Sequence, residues 1–522
     1  GGAGRATGVN IPGNIQNFRS KLWAAWDSLL NSTVYTTCAQ MVVVQDVLNS
    51  KGGHNYGNYG IGGTTDQISE VASIFWSQVD NLLTDELLRA AKGSSYMKQA
   101  FEGEYPKLLR IHLDLHKKLK ALDQTDTSGK PIFQDMGKSC RQFETAYLSR
   151  SLMLVLDSVR EMFPEGDSSS TIAPPSVDRI DALIKTISNE LSVSLVDEAL
   201  TKPVARNVAK AVSLFCQKGE QMLVTGPEAT QVIESPTAGQ ELNVNIANVV
   251  FYFCEQTRQV ISNLGLSKQM SANITTALEG GQLLIKQILN PLIASITEAI
   301  EAILLTMHNE DFSMNDKTTS SNSLYMKELQ KFISRAVTTY LVTFHSQQLV
   351  AQACISIASR TIELFLRNAS LVRPLSDGGR KKLISDFKSV EDAVSPLCSQ
   401  LSELGPVYST LRSLKPLMLA TAQEVATSPV LGQVIPYSLA ITTLFSRGPP
   451  QLPSPHQSVG WSVAKLSEWL DKHTNERDRL ELISGALQKY QQTVCNENQS
   501  SYDPVFPVMT QLLDKATHHL SL

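Results

Sequence analysis

The sequence predicts an all-α protein, and three observations carry that prediction. Apolar residues recur at three- and four-residue steps in every long block, which lines them up on one face of a helix. β-Branched runs are short and lie inside such helical patterns. Stretches rich in Gly, Pro and Ser separate the blocks, as helix-breaking loops do. At roughly 100–200 residues per domain, 522 residues make three or four domains. Each is long enough to bury a core without disulfide or metal staples.

Residues 1–14 have no apolar stretch and are expected to be disordered. A helical bundle follows over 15–165. In it, Met41-Val42-Val43-Val44 continues a longer helical pattern rather than forming a strand. The segment 52–63 holds six glycines and is expected to be a mobile loop, because glycine costs the most entropy to order. A Pro-, Gly- and Ser-rich break at 164–176 leads to a second bundle, 176–310. Its pattern is helical over 180–195. Residues 249–253 have strand propensity, but Ile246, Cys254, Val260 and Ile261 continue a helical spacing around them. Asn290-Pro291 reads as an N-cap with Pro at the first helical position. Leu292, Ile296, Ile300, Ile303, Leu304 and Met307 then share a face, with Glu298 and Glu301 away from its centre.

The polar run 311–323 separates a third bundle, 320–447. Its pattern is helical over 324–344. From Asp377 a helix is predicted through Leu383, Phe387, Val390, Val394, Leu397, Leu401 and Leu404, kinked at Pro396 and stopped by Gly405-Pro406. Four prolines in 448–455 precede the C-terminal helices of 456–522, which are expected to pack on the preceding bundle. Asn475 is the predicted cap for Leu480, Ile483, Leu487, Tyr490 and Val494. In the closing helix, Val505, Val508, Met509, Leu512, Leu513 and Ala516 share a face. No fixed-period repeat appears, so a regular solenoid is not expected.

Composition excludes several function classes. Lys and Arg number 46 against 50 Asp and Glu, a net charge of −4, which does not fit a chain whose main partner is nucleic acid. The seven cysteines are scattered, so buried cytosolic thiols are expected rather than disulfides or zinc. The chain begins without an initiator Met or a secretory signal and is expected to be the remainder of a longer protein. The most apolar stretch, 292–307, is interrupted by Glu298 and Glu301. A spanning helix needs about 20 mostly apolar residues, so membrane contact is expected to be peripheral.

Motif by motif, catalytic chemistry finds no support. His112 and His116 share a helix face, but Leu113 stands where a zincin carries Glu, so no metal is expected. Gly57, Gly60, Gly62 and Gly63 suggest a phosphate loop, but Thr64-Thr65 follows without the lysine a P-loop needs. Gly460-Trp461-Ser462-Val463-Ala464 is one residue from a nucleophile elbow. Without a strand before it, it reads as a helix start anchored by Trp461 and Trp469. Sequons begin at Asn31, Asn273, Asn368 and Asn498 and are expected by chance. No catalytic, cofactor or metal site is predicted. The one candidate contact is the basic run Arg380, Lys381 and Lys382, which could meet acidic lipid or a partner.

Several strings do more than periodicity can. They are 94–109 (SSYMKQAFEGEYPKLL), 180–196 (IDALIKTISNELSVSLV), 299–312 (AIEAILLTMHNEDF) and 323–335 (SLYMKELQKFISR). Two more are 362–387 (IELFLRNASLVRPLSDGGRKKLISDF) and 469–487 (WLDKHTNERDRLELISGAL). From about Phe18 onward the chain resembles the C-terminal two-thirds of the subunit-five family of the conserved oligomeric Golgi complex. The resemblance implies an elongated rod of successive helical bundles, of the helical-rod tethering type. It implies a non-enzymatic subunit of a vesicle tether in retrograde intra-Golgi transport, supporting the recycling of glycosylation enzymes at the cytosolic face of the Golgi. The implied partners are subunit seven and the rest of the second lobe, with SNAREs, Rab GTPases and coiled-coil tethers beyond them. It also implies that an N-terminal coiled region carrying much of the inter-subunit bundling precedes Gly1. The chain is therefore expected to fold alone and to fall short of full assembly. The alternatives are a scaffold or adaptor of another membrane-trafficking complex and, third, a helical enzyme.

Overall fold

The computed structural model describes residues 11–52, 64–122, 137–163, 173–313, 323–497 and 501–521. The glycine-rich 53–63, most of the break at 164–176 and most of the polar run 311–323 lie outside the described residues. Among the described residues the fold is helical throughout. The only β-type pairing there is an isolated bridge between Leu431 and Ile435. The chain divides into two compact units, Gly1–Gln221 with Tyr252–Gln282, and Met222–Phe251 with Leu283–Leu522.

In the first unit, α1 (Ile11–Ser28) passes through a π-turn (Leu29–Val34) into α2 (Tyr35–Gly52). Then come α3 (Thr64–Gly93), α4 (Ser95–Gly103), α5 (Tyr105–Leu122), α6 (Glu144–Met162), α7 (Val177–Ser194) and α8 (Glu198–Gln221). Ser94, in extended conformation, caps α4: its Oγ accepts from Met97 N. Trp23, Phe101 and Phe143 are buried together, with ring centroids 6.1 and 5.3 Å apart in sequence. α6 packs between α7 and α8. Phe215 of α8 touches Phe163 at 5.2 Å and stacks on Phe253 at 4.2 Å.

The second unit contains α9 (Pro227–Thr230) and parts of α10 (Ala238–Asn263) and α11 (Lys268–Leu305). α12 (Leu324–Ala336) continues as a π-turn to Leu341. Then follow α13 (Gln347–Ala369), α14 (Asp377–Val394), α15 (Pro406–Leu417), α16 (Ala422–Thr427) and α17 (Tyr437–Leu444). Last come α18 (Pro455–Ser458), α19 (Val463–Lys472), α20 (Glu476–Asn496) and α21 (Val505–Ser521). Asn475 caps α20 as its sequence predicts, accepting from Arg477 N. α21 buries Val505, Phe506, Met509, Leu512 and Ala516, close to the expected face.

Three expectations need correction. No helix starts at Asn290-Pro291, because α11 runs unbroken through it. An interior proline costs about 3 kcal/mol. Leu284, Ile285 and Leu289 before it and Leu292, Ile296 and Ile300 after it are all buried, and at about 1.5–3 kcal/mol each they offset the break. The helix from Asp377 ends at Val394 instead of kinking at Pro396 and continuing. Pro396 disfavours helical backbone at Ser395, and the chain resumes as a 3-10 turn, Leu401–Leu404. Finally, Lys268–Asn309 and Gln347–Ala369 are both apolar and long enough to cross a membrane by length and composition, despite Glu298 and Glu301. Within the fold, 56% of the α13 window is buried, as in a core helix.

Candidate functional site

The basic run sits in the first turns of α14. Ser376 caps this helix, its Oγ accepting from Gly379 N at 3.0 Å. Cations there oppose the helix dipole, so each needs compensation. Lys382 has it: its Nζ lies 2.7 Å from Glu310 and 4.8 Å over the Phe312 ring. Arg380 is half-buried, with Nη1 3.8 Å from Asp377. Lys381 alone of the three is exposed. The fold therefore points the three cations at different surroundings rather than into one patch. Arg447 is drawn in as well: burial, and then the nearby charge of Arg380, lower its pKa to about 10.

Beneath this turn, α14 meets α12 through a buried polar contact. Asp386 accepts from Ser323 Oγ at 2.7 Å and from the Tyr325 hydroxyl at 2.6 Å. Burial raises the Asp386 pKa, and burial beside that carboxylate raises Tyr325 too.

The other sequence candidates have structural occupations. His112 is fully buried; its Nε2 accepts from the Trp26 indole at 3.2 Å, and Ser139 Oγ lies 3.2 Å from Nδ1. With both ring nitrogens engaged, it keeps no free lone pair for a metal. His116 on the next turn is half-buried. Among the described residues, no three His, Cys, Asp or Glu side chains converge as a metal site would require. Ser462 caps α19, its Oγ accepting from Lys465 N, and Trp461 and Trp469 lie 5.8 Å apart as anchors. Asn368 is fully buried, donating to Leu364 O and facing His308 Nε2 at 2.9 Å, so the folded chain cannot present that sequon. All seven cysteines are free thiols; six are buried, but Cys495 in the last turn of α20 is exposed, against the expectation of burial.

The sequence gives little sign of a further cluster in the second unit. Arg367 lies on the apolar face of α13 with only 7% of its side chain exposed. It donates to Ser467 O at 3.0 Å, Ser467 Oγ at 2.7 Å, Glu363 at 3.2 Å and Asp471 at 2.9 Å. Arg360 reaches the same Asp471 at 2.6 Å. Burial raises the Asp471 pKa, but the hydrogen bonds from Arg360 and Arg367 outweigh it and hold the carboxyl below its ordinary value. The one clue in the sequence is an arginine embedded in IELFLRNASL.

The geometry is that of a packed scaffold, and comparison with known proteins points the same way. The profile of a family described as conserved oligomeric Golgi complex subunit 5, C-terminal, matches residues 6–116. The chain is 40% identical to conserved oligomeric Golgi complex subunit 5 of Mus musculus, over 99% of this chain and 66% of the relative. It is 31% identical to the Drosophila melanogaster protein of that name, over 96% of this chain and 64% of the relative. For the Arabidopsis thaliana protein the figures are 26%, 84% and 54%. The chain thus spans 66% or less of the length of these relatives.

Proposed function

The chain belongs to the conserved oligomeric Golgi complex subunit 5 family, and on that premise we propose that it is a non-enzymatic subunit of a Golgi vesicle tether. The observation that carries this reading is the match to the mouse protein along 99% of the chain. In this reading the chain works on the cytosolic face of the Golgi. It is held there through partners: subunit seven and the second lobe first, then SNAREs, Rab GTPases and coiled-coil tethers. Bundles 15–165, 176–310, 320–447 and 456–522 are its working segments.

Two surface features support a docking role. α2 has little amphipathic contrast and exposes Val43, Val44 and Val47, while α3 exposes Val71, Ile74 and Leu82. Apolar helix surface of this kind suits association with another helix. Lys381, with Arg380 and Lys382 behind it, is the proposed contact for an acidic partner or lipid.

The test is affinity purification of residues 1–522 from cells that lack the endogenous subunit. Other subunits of the complex, subunit seven foremost, are expected to co-purify in lower yield than with the full-length subunit, in keeping with the expected shortfall in assembly. A folded chain that retains none of them would overturn the proposal.

A further inference from the structure

We propose that a cavity among α13, α15, α17, α19 and α20 binds a single-chain anionic amphiphile, an apolar tail ending in a carboxylate or phosphate whose charge is met by Arg479. The cavity is a cleft open to solvent, of about 390 Å³, within the range of about 300–1,000 Å³ usual for small-molecule pockets. Its walls are largely apolar: Leu366, Leu371, Leu439, Leu466 and Ile483 contribute from four different helices. Most of these side chains are otherwise part of the core. The cavity opens to solvent, so an apolar chain lying in it would displace water from these walls. Walls drawn from five helices also suit a slender chain better than a docking helix.

The polar groups in the lining select the head. Arg367 is committed to Ser467, Glu363 and Asp471. Ser438 is held by Glu476, which accepts from both its N–H and its hydroxyl. Arg479 differs from both. Its Nε donates to His473 O at 2.8 Å and one Nη2 hydrogen to Leu470 O at 3.0 Å. Of the five N–H donors on a guanidinium, three are left. Both acceptors are backbone carbonyls, and among the described residues no carboxylate is directly bonded to Arg479. A half-buried guanidinium with spare donors in a largely apolar lining is matched by a carboxylate or phosphate attached to hydrocarbon. Burial lowers the Arg479 pKa, against the raising influence of the Glu476, Glu363 and Asp471 carboxylates nearby.

The experiment is isothermal titration of the full 522-residue chain with dodecanoate, dodecanol and dodecyltrimethylammonium, each below its micelle concentration. One dodecanoate per chain is expected, bound about tenfold or more tighter than the alcohol or the cation, as befits one charged hydrogen-bonded contact. Arg479→Gln is expected to bring dodecanoate down to the affinity of dodecanol. Because that change also removes two carbonyl contacts, Val407→Trp provides an independent test: it fills the cavity from α15 and should abolish binding of both ligands. Circular dichroism verifies the fold of each variant. Flotation with phosphatidylcholine vesicles carrying lysophosphatidic acid, a single-chain anionic lipid, separates the sources. Vesicle binding that dodecanoate displaces identifies a bilayer lipid, and dodecanoate binding without flotation identifies a free amphiphile. The proposal is overturned if binding is not saturable, if the three amphiphiles bind equally, or if folded Val407→Trp binds dodecanoate as the parent does.

Discussion

Replacing Arg367 by Met keeps most of the side-chain stem in the core and removes the guanidinium, so its cost can be worked out bond by bond. The two bonds to Ser467 are charged and buried. Contacts of that kind contribute about 1.5–3 kcal/mol together with the desolvation they offset. The ion pairs are worth less. Asp471 and Glu363 remain 39% and 46% exposed, so water re-solvates them once the arginine is gone. Each such pair is worth about 0–1 kcal/mol, not the larger cost of breaking a fully buried pair. The sum is about 2–4 kcal/mol, lost at the junction of α13 and α19. Amide hydrogen exchange across Val463–Lys472 reads this local opening directly. A loss of that size corresponds to exchange faster by about 30- to 1,000-fold. Arg360→Met is the control, because it removes contacts to the same exposed carboxylates, Glu363 and Asp471, and none to Ser467. If Arg367→Met speeds exchange no more than Arg360→Met, the buried Ser467 bonds do not hold the junction and the reasoning fails.

Four further predictions rest on local features. Gly379→Ala is expected to destabilise by about 3 kcal/mol, because its Cβ would lie 1.8 Å from Phe312 O and displace the carbonyl that accepts from Ser376 N. Gly485→Ala, in an open position inside α20, should stabilise by about 0.5–1 kcal/mol, and urea titration compares the two. Burial lowers the pKa of His308 and of His456, and charge on His308 lowers His456 further. The unfolded chain therefore takes up protons below its ordinary value of 6.5 while the native state does not. Thermal stability should hold above that pH and fall as the solution is acidified through it; a midpoint unchanged between pH 7.5 and 5.5 would refute this. Ellman's reagent should titrate one thiol, Cys495, in the native chain and seven after denaturation. Burial pushes the Cys38 thiol up to about 11, which slows it further.

Periodicity made the long helices legible because burying one face of a helix leaves a local trace. Spacing places α7 to within three residues at its start and one at its end, and Asn475 marks the start of α20. Pro291 and Pro396 show where local reading stops. Each proline removes one backbone donor, yet the helix survives at Pro291, between buried leucines and isoleucines, and ends at Val394, ahead of Pro396. The outcome depends on packing partners that the local sequence does not name. The candidate sites divide in the same way. Ser462 could be recognised as a cap from its neighbours, whereas the occupation of His112 by Trp26 spans 86 residues. Arg367 finds Asp471 104 residues away, and the cavity gathers its walls from five helices.

Several arginines of the second unit are committed to carbonyls of loops and helix ends rather than to solvent. A helical bundle satisfies its backbone within each helix, but loops between helices leave carbonyls without partners. Four prolines make the 448–455 loop especially short of internal bonds. Arg373 meets that need, donating to the carbonyls of Gly448, Pro449 and Leu452. Arg447 reaches Leu417 O, Arg335 reaches Val232 O, and Arg479 binds two carbonyls around the turn into α20. A planar fork of donors can hold two or three carbonyls at once, which a lysine ammonium does with less directional control. Charge used this way joins loops to helices and is withdrawn from the surface. On the proposed reading, partners would meet apolar helix faces such as that of α2 and exposed cations. Lys381, the exposed member of the basic run, is one of them.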